Sequence, residues 1–292
     1  MIEKKSLVER AISFGGSLPY LPKGELFIQN SFLDALFPPS DNYFSKLKQA
    51  IPLLELDLIG IFPVEKMEDI TKTDTFRELK NLFLVCNIYG PFSFWTQHLG
   101  FLETLKALRK DKKTLFNLSE NLLNNIKIKL PLYREYGFDG VAIIDDIAGN
   151  DGVFFSMVDF KTLLEPVYRR MAEIIKSCGL FLFFHSDGNL EKYLIKFLNM
   201  GIDCFNTCDT QAGMNIYRMR ESLTKRVCFM GHIDLFEWNA GRIISEIKKA
   251  EKTFSGGGLI LGSSSGLCER SLKKDIHALY PGLKVRIKNG EF

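Results

Sequence analysis

The sequence predicts an α/β protein: a single (β/α)₈ TIM barrel, with inserted helices between the third and fourth strands. Three observations predict it. The chain has 292 residues, close to the size of one α/β barrel. Short apolar runs alternate along it with longer amphipathic ones, as parallel strands alternate with crossover helices. There are eight such apolar runs, the number that closes a barrel.

In order, the predicted strands are Gly24 to Ile28, Leu56 to Phe62, Leu82 to Ile88, Gly140 to Asp145, Leu180 to His185, Cys204 to Thr207, Arg226 to Met230 and Leu259 to Gly262. They are rich in Val, Ile, Leu and Phe, which suits strands buried on both faces. Helical spacing marks Phe160 to Ile175, Leu190 to Met200 and Ile243 to Phe254 between them. Ser156 is placed to cap the helix ahead of Asp159, and Gly179 and Gly201 stand where a helix must stop before a strand. The stretch Gly90 to Asp139 is too long for one helix. It holds two periodic segments, Leu102 to Leu108 and Leu115 to Ile128, read as inserted helices. An open doubly wound sheet would carry a Gly-rich turn after its first strand, and none follows Ile28. With no linker, low-complexity run or internal repeat, residues 1–292 read as one domain.

Composition narrows the function classes. Hydrophobic residues make up 46% and charged residues 25%, enough apolar matter for a large core. The net charge is +3 with both signs interspersed, which speaks against a nucleic-acid partner. The cluster Arg109 to Lys113 is short, contains an acid and reads as a solvated helix end. No apolar run reaches the ~18 residues that span a bilayer, so no membrane partner is expected. The N-terminal Met1 to Ser6 has no apolar signal-peptide region. The six cysteines are scattered without a CxxC pair, so reduced thiols in the cytoplasm are the expectation.

Candidate site residues gather where barrels put their chemistry, at the C-terminal strand ends. Asn87 closes the third strand, and Asp145 and Asp146 close the fourth. The fifth ends in His185-Ser186-Asp187-Gly188-Asn189, and the sixth carries Asn206, Cys208, Asp209 and Gln211. The seventh ends in Gly231-His232-Ile233-Asp234, the eighth in Ser263-Ser264-Ser265-Gly266, and Glu25 stands near the start of the first. Ionisable groups at the ends of buried strands are costly unless they pair or serve chemistry. Bland readings stand beside these. A lone Asp after a strand is more often a helix N-cap than a catalyst, and Asp187 and Asp234 fit either role. Glu25 fits a buried ion pair, Gly256 to Gly258 fit a turn, and Cys204 and Cys228 fit the core. Two of only four histidines at strand ends are harder to dismiss together.

The run Phe183 to Asn189 resembles the fifth-strand signature of the uroporphyrinogen decarboxylase superfamily. So does the downstream order Gly201-Ile202-Asp203, Gly231-His232-Ile233-Asp234, Gly257-Gly258-Leu259-Ile260 and Asp275-Ile276-His277-Ala278-Leu279. The resemblance covers the last half well and the first half loosely. It implies a (β/α)₈ barrel and one of two chemistries: porphyrinogen decarboxylation, or methyl transfer with corrinoid proteins or thiol acceptors.

The sequence departs from both branches. The decarboxylases grip a carboxylate-rich substrate with an N-terminal segment of the Arg-Gln-Ala-Gly-Arg type. Here that region reads Phe14 to Glu25, and after Arg10 no arginine appears until Arg77. The thiol-activating methyltransferases bind zinc through His-x-Cys on the fifth strand and a Cys after the eighth. This chain has His185 with Asp187 at the first pair, and Ser265 or nearby Ser264 at the second; Cys208 and Cys268 lie off the family positions. A harder His/carboxylate site for zinc or another divalent ion, built from His185, Asp187 and Glu25, would favour an oxygen-bearing substrate.

The reading that follows is a methyltransferase-type member, moving a methyl group from a small O- or N-methyl compound to a corrinoid protein or cofactor. His185, Asp187, Asp145 and Asp146 are the expected catalytic residues, and Glu25, Asn87, Asn206, Gln211, His232 and Ser264 the expected substrate contacts. A porphyrinogen decarboxylase and a non-catalytic corrinoid- or tetrapyrrole-binding protein are the alternatives, and a homodimer is the assembly to test.

Overall fold

The computed structural model describes residues 3–38, 41–64, 67–273 and 275–283. Met1 and Ile2 of the N-terminal segment read above lie outside them. The strands are β1 (Gly24–Glu25), β2 (Leu58–Ile61), β3 (Phe83–Tyr89), β4 (Gly140–Ile144), β5 (Ala148–Gly149), β6 (Gly152–Val153), β7 (Phe181–His185), β8 (Cys204–Thr207), β9 (Cys228–Ile233) and β10 (Leu259–Ser263). Eight of them form one sheet in the order β1-β2-β3-β4-β7-β8-β9-β10. Parallel bridges Lys23↔Leu261 and Ile28↔Leu267 return the first strand region to the last. The fold is a (β/α)₈ barrel, and each of the eight predicted strands is present, shifted at most a few residues at its ends.

The inserted helices between β3 and β4 are Pro91–Leu99, Phe101–Lys110 and Lys112–Glu135. The first was not read from sequence. Asp111 separates the other two and caps the second, accepting from the Thr114 amide at 3.1 Å. The basic cluster 109–113 is therefore a solvated helix junction, exposed throughout. Ser156 caps as expected, accepting from the Asp159 amide at 3.1 Å. β5 and β6 make a small antiparallel hairpin within the loop after β4, where the sequence showed only polar turn residues.

By internal contacts the chain divides into two compact units, Met1–Val85 with Cys228–Phe292, and Cys86–Val227. The first unit carries β1, β2, β9 and β10. Leu58, Ile59, Ile61, Phe229, Met230, Leu259, Ile260 and Leu261 are all buried, as strands covered on both faces require. The second unit carries the parallel pairs β4–β7, with Ile144 beside His185, and β7–β8, with His185 beside Asn206. Its core is aromatic. The Phe184 and Phe197 rings lie 4.2 Å apart, and Tyr168 meets both edge-on. Burying each such ring contributes roughly 2–3 kcal/mol, so this cluster anchors the strand that presents His185.

The candidate site: an imidazole facing two carboxylates

β7 buries four of its five side chains and ends on His185, which is itself buried. The next strand fixes its ring: Nδ1 lies 2.6 Å from the Asn206 Oδ1. With Nδ1 held by the neighbouring strand, the ring turns Nε2 toward the loops after β4 and β7. That nitrogen faces two carboxylates, 3.6 Å from the Asp146 Oδ1 and 3.9 Å from the Asp187 Oδ1. One donor atom from each of Asp146, His185 and Asp187 lies within 4.8 Å of the others. Both aspartates remain more than half exposed, so the cluster opens to solvent while its imidazole is held from behind.

The surrounding loops are tied by backbone bonds. The Asp187 amide donates to the Asp146 Oδ1 at 3.1 Å. The Asp209 carboxylate accepts from the amides of Gly188, Gln211 and Ala212 at 3.2, 2.9 and 3.2 Å. Cys208, buried at φ 64, turns the chain left-handed just before Asp209. Such a turn is strained for a residue with a Cβ, and strain of this kind collects at functional sites. Gly188 is required where it stands: its φ is 81, and a Cβ there would meet the Ala148 carbonyl oxygen at 2.5 Å. Burial raises the Asp187 carboxyl above its ordinary range. His185 pulls it back, and Asp146 and Asp209 push it further up.

Asp145 behaves differently from its neighbour. It is fully buried and accepts from the Tyr168 hydroxyl and from the Phe92 and Ser93 amides at the start of helix Pro91–Leu99. Gly90 makes this approach possible, since a Cβ there would lie 2.4 Å from the Asp145 Oδ2. Burial lifts the Asp145 carboxyl to about 6, with those donors acting in the opposite sense. Ser93 also accepts from the Asp146 amide at 3.2 Å, so Asp145 and Ser93 together set the turn that carries Asp146. Neither Ser93 nor Tyr168 stood out in the sequence. Tyr168 lies in an apolar helical stripe, and nothing in the spacing shows where its hydroxyl ends.

The remaining sequence-chosen residues divide between the units. Asn87 is buried in β3, and Gln211 is an exposed loop residue whose amide serves Asp209. Glu25, His232 and Ser264 belong to the first unit. Glu25 is buried and accepts from the Ser263 amide at 2.6 Å, the Ser263 hydroxyl at 2.8 Å and the Tyr280 hydroxyl. Burial raises its carboxyl to about 7 against those donors. The three-residue cluster around His185 contains Asp146 and Asp187 rather than Glu25. His232, at φ 83, sets its Nε2 2.9 Å from the Glu246 Oε1 and its ring edge-on to Trp238. Asp234 accepts from the Phe236 and Glu237 amides as a turn cap, and the Ser264 amide donates to the Ile233 carbonyl. Neither Cys208 nor Cys268 joins the three-residue cluster among the described residues.

Fold and site together define a (β/α)₈ barrel that carries a histidine–carboxylate centre at the carboxyl ends of its strands. The model of the uroporphyrinogen decarboxylase (URO-D) family matches residues 68–280, and the chain belongs to that family. Among solved structures, the chain is similar to a methyltransferase from Methanosarcina mazei, with a TM-score of 0.67, 14% identity, and coverage of 99% of this chain and 100% of that one. It is also similar to the carboxyl transferase domain of Rhizobium etli pyruvate carboxylase, with a TM-score of 0.50, 10% identity, and coverage of 99% and 51%. At these identities the likeness shows the fold alone. No curated protein sequence matches the chain. No helix among the described residues is long and apolar enough to cross a membrane.

Proposed function

We propose that this family member is a methyltransferase that takes a methyl group from a small O- or N-methyl compound and passes it to a corrinoid. The observation that carries the reading is the cluster of His185 Nε2 with the Asp146 and Asp187 carboxylates, whose donor atoms lie within 4.8 Å of one another. Distances of 3.6 and 3.9 Å are too long for hydrogen bonds and suit atoms that share a cation. The donor set of one imidazole and two carboxylates fits zinc or a harder divalent ion, so His185, Asp146 and Asp187 are the residues that would hold it. Such an ion supplies positive charge to the atom that keeps the electron pair when its bond to the methyl carbon breaks. The chain's own part is positional. Asn206 holds the His185 ring, the Asp145–Ser93–Tyr168 network holds the Asp146 turn, and Asp209 holds the loop behind Gly188. The absence of arginine between Arg10 and Arg77 weighs against a carboxylate-rich substrate, and the full-length likeness to a methyltransferase fold supports the choice.

The test is spectral. Mixing the protein with free reduced cobalamin, or with a corrinoid protein, and a panel of methoxy and N-methyl compounds should convert the reduced corrinoid spectrum to the methylated one. Loss of CO₂ from uroporphyrinogen without that conversion would replace the reading by decarboxylation. Tight tetrapyrrole binding with neither activity would replace it by a carrier role.

A further inference from the structure

The first unit holds a pocket that the His185 centre does not use. Its volume is about 360 Å³, within the roughly 300–1,000 Å³ of small-molecule sites. Three stretches wall it: 26–30 after β1, Tyr43 and Phe44 opening helix Tyr43–Leu54, and Gly60 to Val64 at the end of β2. Both strands deliver it at their carboxyl ends, where (β/α)₈ barrels bind ligands.

The lining states the ligand's chemistry. Phe27 and Phe62 tilt at 33° with centroids 6.0 Å apart, and Leu26, Phe44 and Val64 continue the apolar wall. Phe62 and Val64 are exposed, large apolar groups left facing solvent. No acid or base lies among the described lining residues. The only titratable group there, the Tyr43 phenol, is pushed up to about 12 by burial and stays neutral, donating to the Ile28 carbonyl at 3.2 Å. Gln29 and Asn30 give the lining one polar edge. The wall is also preformed. The Leu267 amide donates to the Phe27 carbonyl and the Gln29 amide to the Leu267 carbonyl, both at 2.8 Å, so backbone bonds fix residues 27–29 before any ligand arrives.

We infer that this pocket is a binding site for an uncharged aromatic small molecule carrying one hydrogen-bonding substituent, its ring against Phe27 and Phe62 and its polar edge toward Gln29 and Asn30. The inference is independent of methyl transfer, because binding alone reads it out. Calorimetric titration with 2-methoxyphenol should give saturable one-to-one binding. Phe62→Ala and Val64→Asp, both at exposed positions, should each weaken it at least tenfold, while Phe101→Ala, an exposed ring of the second unit, should leave it unchanged. Anionic 2-methoxybenzoate should bind at least tenfold more weakly than the neutral probe. No saturable binding, binding indifferent to both pocket variants, or equal affinity for the anion would each overturn the assignment.

Discussion

Glu25 and the pair Asp146 with Asp187 are acids near the ends of barrel strands, yet their surroundings are opposite. Glu25 is buried, and its carboxylate accepts from two hydroxyls and an amide. Asp146 and Asp187 are half open and face an imidazole nitrogen across gaps too wide for hydrogen bonds. An acid whose oxygens are met by its own fold holds strands together. Acids gathered beside an imidazole at the solvent face are arranged for something that arrives.

Four substitutions probe that contrast, from the largest expected effect to the smallest. His185→Ala should lower methyl transfer by roughly 10³-fold, the range lost with a group acting at the reacting atoms. Its thermal midpoint should move by only about 2–4 °C, and unchanged turnover would remove His185 from the site. Asp146→Asn and Asp187→Asn should each weaken divalent-ion binding by about 100-fold in a titration, since a neutral amide replaces an anionic ligand. Asn206→Ala frees the ring without touching the donor atoms, and about a tenfold loss is expected for a partner that orients a ligand.

Glu25→Gln is the contrasting case. Ion affinity should be unchanged, and the effect should appear in the pH dependence of unfolding. The folded Glu25 carboxyl is raised to about 7 from 4.5, so the folded state holds a proton that the unfolded chain has released. That contribution to stability is present at low pH and is lost as pH rises through about 7. Wild type and variant should lie within about 1 kcal/mol at pH 5. Between pH 5 and 8 the wild type should lose stability more steeply, and the slope left in the variant belongs to the other raised carboxyls, Asp145 at about 6 with Asp187 and Asp57.

The barrel was legible because its strands are buried on both faces and read as unbroken apolar runs, bounded by helices with clear spacing. The hairpin β5–β6 was not, because strands of two residues leave no periodicity. Helix Pro91–Leu99 escaped because its buried residues, Pro91, Phe92 and Trp95, are too few to set a stripe. Within the candidate site, the sequence placed His185, Asp187 and Asn206 at adjoining strand ends. It did not show that Asp145 and Asp146 part company. That division depends on alternate side-chain directions after β4 and on the amides of a helix more than fifty residues earlier in the chain. Glu25 was grouped with His185 for its residue type, whereas Ser263 and Tyr280, both distant in sequence, meet its carboxylate.

Titration of chelator-treated protein with Zn²⁺ and Mn²⁺ tests the central claim most directly. One ion should bind per chain in the wild type and in Glu25→Gln, with binding lost or weakened about 100-fold in Asp146→Asn, Asp187→Asn and His185→Ala. Absence of saturable binding, or binding that persists unchanged in all three of those variants, would contradict the account.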